Sequence, residues 1–219
     1  MYTASFLRND KGNIVIGSNG VPKIDTRREF NIGSYTPDWT GAISTSVSFR
    51  NLSLSAVIDH RQGGVVGSFT QANLVFMGLT NETLQGREGG LIFGQNIFSQ
   101  YTAVKEDGNV NDIPVNAETL WRVIGNPSVP VGEAFVNSAT NTRLREVIIA
   151  YSLPDALVKG LRLSNVKVSL VGRNLFFISR ATPGLDPDIL AGTQTSAEGF
   201  SSYPPPTVRS FGVNLKIGF

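Results

Sequence analysis

The stretch that most constrains the fold is the final eleven residues, Arg209 to Phe219. Phe211, Val213, Leu215, Ile217 and Phe219 are apolar, and Ser210, Gly212, Asn214, Lys216 and Gly218 between them are small or polar. A period of two without exceptions describes a β-strand with one apolar face and one polar or closely packed face. Its length narrows the choice, because strands of soluble proteins run about 5–6 residues and a tilted membrane-spanning strand needs roughly 9–11. Taken alone, the stretch fits either the last strand of a soluble sandwich or a strand that crosses a bilayer.

Composition bears on that choice. Apolar residues make up 41% of the 219 and charged residues 16%, below the roughly 25% charged usual in soluble domains. Burial against lipid explains a low-charge surface, and so does a Gly-, Ser- and Asn-rich β-protein. The net charge of +2 is spread along the chain apart from Arg27 with Arg28 and Arg143 with Arg145, which is no nucleic-acid footprint. There is no cysteine, so disulfides and thiolate metal sites are excluded. His60 is the only histidine, so a multi-histidine metal cluster is excluded and a Ser-His-Asp triad would have to use it. The longest apolar run, Val147 to Tyr151, is far short of the ~20 residues of a spanning helix. Met1 is followed by neither a basic nor an apolar leader segment, so an exported chain is expected to be a mature form or an internal fragment.

Along the chain, Thr3–Leu7 and Ile14–Ile16 read as short strands joined by a turn-rich connection, and the segment up to Thr40 reads as irregular. Clean alternation starts at Ile43, with Ile43, Thr45, Val47 and Phe49 on one face; after a tight turn near Asn51 the apolar face continues through Leu52, Leu54, Ala56 and Ile58. Over the next eighty or so residues the pattern fails. Gly63-Gly64 is a flexible joint, Ala72 to Leu84 suits a helix, and Asn116 is placed to cap a helix through Trp121. Strands return at Arg145–Leu153 and Val166–Phe177, linked by Pro154-Asp155 and Gly160. A Gly-, Ser- and Pro-rich loop of residues 178–207 then leads to the terminal strand. Short connections therefore fall at one end of the strands and long ones at the other, the asymmetry of transmembrane barrels with short periplasmic turns and long extracellular loops. Phe211 and Phe219, roughly 27 Å apart along an extended strand, suit two aromatic girdles.

Several strings are familiar in this order: Pro37-Asp38-Trp39-Thr40-Gly41, Phe49-Arg50-Asn51-Leu52-Ser53-Leu54, Arg87-Glu88, Thr142-Arg143-Leu144-Arg145-Glu146-Val147 and Tyr151-Ser152-Leu153-Pro154. Gly172-Arg173-Asn174-Leu175-Phe176, Gly184-Leu185-Asp186-Pro187-Asp188 and Tyr203-Pro204-Pro205 complete the set. Together they resemble the carboxy-terminal part of SusC/RagA-type TonB-linked outer-membrane proteins. The resemblance implies an all-β fold, the antiparallel C-terminal segment of a 22-stranded transmembrane barrel. It also implies a plug supplied by an amino-terminal domain and import of oligosaccharides or peptides with energy relayed by TonB. A SusD-like surface lipoprotein would cap the outer face. It implies an outer-membrane location, contact with lipid, and a terminal strand, Phe211, Val213, Leu215, Ile217 and Phe219, read by the barrel-assembly machinery. Residues 1–219 are expected to be a piece of that barrel without plug or TonB-contacting segment, unable to transport alone. The alternative is a soluble β-sandwich module that binds glycans.

No catalytic constellation, metal site or cofactor is expected. Asp186 and Asp188 have the look of paired glycosidase carboxylates but flank a proline in a turn. Gly63-Gly64 and Gly86–Gly90 lack the Lys-Ser/Thr sequel of a phosphate loop. Arg145 and Glu146, adjacent on a strand, are expected on opposite faces. Asn51-Leu52-Ser53 and Asn81-Glu82-Thr83 match the glycosylation pattern by chance. Tyr101, Trp121 and Tyr203, on the expected outer side, are the candidates for stacking on a sugar or touching a lid partner, and packing among the loops is the competing reading.

Overall fold

The alternation of the terminal strand recurs in four others, and all five hydrogen-bond into one sheet. The computed structural model of the chain describes residues 1–159, 163–182, 184, 186–188, 199–203, 205 and 207–218, with backbone only at 155 and 159. The strands in chain order are β1 (Tyr2–Phe6), β2 (Ile14–Ile16), β3 (Ile24–Asn31), β4 (Trp39–Phe49), β5 (Leu52–Gln62) and β6 (Val65–Ser68). They continue with β7 (Ala103–Lys105), β8 (Val136–Ser138), β9 (Asn141–Ser152), β10 (Asn165–Arg180), β11 (Phe200–Ser201) and β12 (Ser210–Gly218). The α-helices are α1 (Phe69–Phe76), α2 (Ala117–Ile124) and α3 (Asp155–Lys159), joined by 3-10 turns at Asn81–Leu84 and Gly132–Phe135. The chain is thus mostly β with short helices.

Two compact units share the chain. One contains Thr36–Gly64, Ser138–Ile189 and Pro205–Phe219, the other Met1–Tyr35, Val65–Asn137 and Leu190–Pro204. The first is the long-strand sheet, ordered β12-β10-β9-β5-β4 with every neighbouring pair antiparallel. Four of its strands are 11, 11, 12 and 16 residues long and β12 has 9, lengths suited to a bilayer. The sheet is open; the described residues close no barrel. Phe49 pairs with Leu52, so β4 and β5 are joined by Arg50 and Asn51 alone, and Arg50, not Asn51, takes the left-handed conformation at φ +52°. The β9–β10 connection is also short and holds α3. Gly160, expected to close it, lies outside the described residues.

β9 starts four residues before its expected Arg145 and β10 runs three beyond Phe177. The reason is a pair of bulges. Arg145 has no partner in either ladder, since Leu144 and Glu146 flank it opposite Ile58 and Val57 on one side and Phe176 and Arg173 on the other. Asn174, at φ +52°, absorbs the mismatch on β10. A bulge interrupts the period of two while the ladder continues, so an alternation search stops too soon.

The second unit packs a core of its own around Phe6, Ile14, Ile16, Val75, Leu91, Phe93, Leu120, Trp121, Ile124 and Val131. β1 pairs antiparallel with β3, and β2 pairs parallel with β7. The turn expected between the first two strands is present, with an antiparallel bridge between Arg8 and Ile14 and the Val15 N–H donating to the Leu7 carbonyl, while the strands themselves pair with more distant partners; the segment expected to be irregular contains β3. That strand hid from the alternation because residues 26–29 bulge out between the pairs Thr3–Phe30 and Ser5–Asp25. The single helix expected from Ala72 to Leu84 is α1 followed by the 3-10 turn Asn81–Leu84, separated at Gly78, which sits at φ +71°. The Asn116 cap is as expected, its side chain accepting from the N–H groups of Glu118 and Thr119.

Candidate functional site

Register turns the alternation of five strands into one continuous surface. Val47, Leu54, Ile149, Leu170 and Val213 form one row across the sheet, and Phe49, Leu52, Tyr151, Val168 and Leu215 form the next. Thr45, Ala56, Val147, Gly172 and Phe211 make a third, with Ile43, Ile58, Leu144 and Phe176 beyond it. Most of the large side chains among these are exposed, from 45% at Ile149 to 78% at Phe211, while Ile58, Leu144, Val147 and Val168 are half-buried. An apolar patch of this extent is larger than soluble monomers ordinarily leave in water. From Phe49 to Ile43 the rows climb six residues, about 20 Å along the strand, and Val166 with Ile217 adds a further row. Allowing for tilt, that height is of the order of the ~25 Å apolar band of outer-membrane barrels. Phe49 and Tyr151 mark the short-turn end. At the other end Trp39 lies against His60, ring centroids 4.8 Å apart, and His60 also contacts the Thr142 hydroxyl at 2.8 Å. His60 thus belongs to the rim of the apolar face.

Of the five residues expected to form the terminal apolar face, Phe211, Val213, Leu215 and Ile217 share it. Phe219 lies outside the described residues.

The reverse face is polar, with Ser46 paired to Ser55 and Ser48 to Ser53, and its far end carries a network of arginines and carboxylates. Arg143, only 2% exposed, sits 2.7 Å from Asp186, 3.0 Å from Asp188 and 4.0 Å above the Phe177 ring. Its Nη1, the atom nearest Asp188, is out of line for a hydrogen bond, so that contact is Coulombic. Arg145 holds Asp59 and Asp188 and donates to the Asn174 side chain at 3.1 Å, while Glu146 holds Arg173 at 2.7 Å. The expectation that Arg145 and Glu146 face opposite ways is corrected here: the bulge sends both toward partners on the polar face. Thr207 donates its hydroxyl to Asp186 as well, so residues from both ends of the 181–209 connection meet at one carboxylate. Asp186 and Asp188 are thereby engaged by guanidinium groups. Sequence reasoning singled out both aspartates but missed Arg143 and Asp59; the signal was the run of alternating arginines, Arg143 and Arg145, where an apolar pattern was due.

Two of the three aromatic candidates of the second unit meet around Phe98, and the third lines a cleft. Trp121 is a core residue, 4% exposed, with its ring 6.0 Å from Phe98 and its indole N–H without a partner among the described residues. Tyr101 is half-buried beside Phe6 and Phe98, and burial pushes its phenol up from the ordinary value. Tyr203 is 60% exposed, contacts the Asn73 side chain and lines a cleft of about 410 Å³ with Tyr2, Arg28, Phe69 and Phe200. The structure therefore does not bring the three together. Among the described residues no group of carboxylates and histidine is arranged to hold a metal ion, and no helix is long and apolar enough to cross a membrane, which says nothing of crossing by strands.

The fold has counterparts among solved structures. The chain is similar to a chain of the RagAB peptide importer in its "closed-closed" state, with a TM-score of 0.53 and 20% identity, and to one of the RagAB peptide transporter, with a TM-score of 0.54 and 20% identity. All of this chain is covered in both cases, and it spans 23% and 22% of those chains. At that identity the likeness concerns the fold. No protein-family model and no curated protein matches the sequence.

Proposed function

We propose that this chain is part of the wall of an outer-membrane transport barrel of the SusC/RagA type and serves nutrient import. One observation carries the reading: a single apolar face runs in register through five long antiparallel strands, uncovered, with short turns at one end and long connections at the other. Lipid is the solvent such a face requires, and in lipid only a closed sheet satisfies every backbone group. The likeness to RagAB chains supports the same architecture. From the family resemblance the reading extends to a 22-stranded closure, a plug, TonB-relayed energy, a SusD-like lipoprotein on the outer face and oligosaccharide or peptide cargo.

The role is passage, with no chemical step by these residues. The ion pairs of Asp186 and Asp188 with Arg143 and Arg145 support that, because they give both carboxylates a structural role in holding the connection against β9. A soluble glycan-binding sandwich would need a second sheet over the apolar face, and the exposure of that face speaks against it.

The test is fractionation of the full-length product together with the single-thiol variants Leu54→Cys and Ser55→Cys. The expected outcome is outer-membrane location, with the thiol of Leu54→Cys shielded from a membrane-impermeant maleimide and that of Ser55→Cys labelled faster. A product that stays soluble in the periplasm overturns the proposal. Phe219→Ser should lower the amount assembled in the membrane more than it alters cargo affinity, and unchanged membrane levels would remove the assembly role of the terminal residue.

A further inference from the structure

At the short-turn end of the polar face, Lys167 on β10 stands directly opposite Lys216 on β12, and Ser152 on β9 completes the row. Directly opposed residues of an antiparallel pair hold their Cβ atoms about 4.5–5.5 Å apart, and like charges in that position repel. Elsewhere on this face the cations are matched: Arg143 with Asp186 and Asp188, Arg145 with Asp59, Arg173 with Glu146. Lys167 and Lys216 have no ion pair and no side-chain hydrogen bond among the described residues. The face is therefore balanced at one end and doubly positive at the other.

The ground beside the lysines is low. The neighbouring row is Ser48, Ser53, Ala150, Ser169 and Asn214, and a Cβ built on Gly212 in the row after would meet nothing within 4 Å. Short hydroxyl and amide side chains let a backbone approach closely and offer it hydrogen bonds. We infer that Lys167 and Lys216 form the acceptor for an acidic polypeptide segment that lies on the polar face and sets Asp or Glu carboxylates between the two ammonium groups. Charge complementarity selects a carboxylate-bearing chain. A lipid phosphate is disfavoured because the lysines lie on the face opposite the apolar rows.

The inference rests on the barrel reading, in which the polar face is enclosed, and one experiment separates the two. Outer membranes holding the full-length product are treated with a water-soluble carbodiimide, which activates a carboxylate so that a lysine amine in contact displaces the activating group and leaves an amide. Peptides linked to Lys167 or Lys216 are then identified by mass spectrometry. The expected result is an amide from either lysine to an Asp or Glu outside these 219 residues, lost in Lys167→Gln/Lys216→Gln and retained in Lys23→Gln. Links only to carboxylates within residues 1–219, or free amines that acetylate as fast as Lys11, overturn the inference. A cross-link found in a product that does not fractionate with the outer membrane keeps the acceptor and refutes the barrel. Correct fractionation without the cross-link does the reverse.

Discussion

Arg143 is the residue with most depending on it. Its guanidinium is buried among two carboxylates and a ring, and removing one member of a buried ion pair leaves the others uncompensated at a cost of about 3–5 kcal/mol. Arg143→Met in the full-length protein should therefore lower the unfolding midpoint in detergent markedly, and Arg173→Met, whose exposed side chain holds Glu146 at the surface, should move it little. Equal shifts would show that burial is not what matters. Asp25 offers a test of another kind. The hydrogen-bonded guanidinium of Arg27 holds its carboxyl down to about 2, with the Arg27 backbone N–H adding to the effect. A folded pKa below the unfolded one, about 3.9, means that the favourable term is present above the unfolded value and is lost as pH falls through about 2. A carboxyl-carbon titration should place Asp25 near 2 and move it up toward the ordinary range in Arg27→Gln, where the backbone N–H alone still lowers it. None of this was visible from residue type. Asp186 and Asp188 read as a turn because their partners lie some forty positions away, and Trp121 was open between stacking on a ligand and packing because its neighbour Phe98 is distant in sequence.

At the level of elements, what was legible was what repeats. The β4–β5 hairpin, the body of β9 and β10, and β12 follow from alternation, and α2 follows from Asn116 and the periodic apolar residues after it. β3 and the outer ends of β9 and β10 did not, because each contains a bulge, and a bulge keeps the hydrogen-bond ladder while breaking its pattern in sequence. The cap gives one prediction: Asn116→Ala should cost about 1 kcal/mol by leaving the Glu118 and Thr119 N–H groups without their acceptor. Asn116→Asp should restore most of it in the same thermal unfolding measurement. The sheet gives another. Ile149→Arg places a charge in the middle of the apolar rows and should cost about 2–4 kcal/mol on folding into vesicles. Ser46→Arg, on the other face, should cost far less. Similar penalties at both positions would mean that the two faces do not see different solvents.

For the whole molecule, the open sheet has a consequence that comes down to parity. Five strands run alternately up and down, so β4 and β12, at its two margins, point the same way. They cannot be joined to each other as antiparallel neighbours, and repeating the same sheet in the same orientation places like-directed strands side by side at every seam. Any antiparallel cylinder that includes this sheet must insert an odd number of strands between its margins. A 22-stranded cylinder meets that condition with 17, whereas a ring of like-oriented copies of this sheet fails at every seam, because each copy begins and ends on strands of one direction.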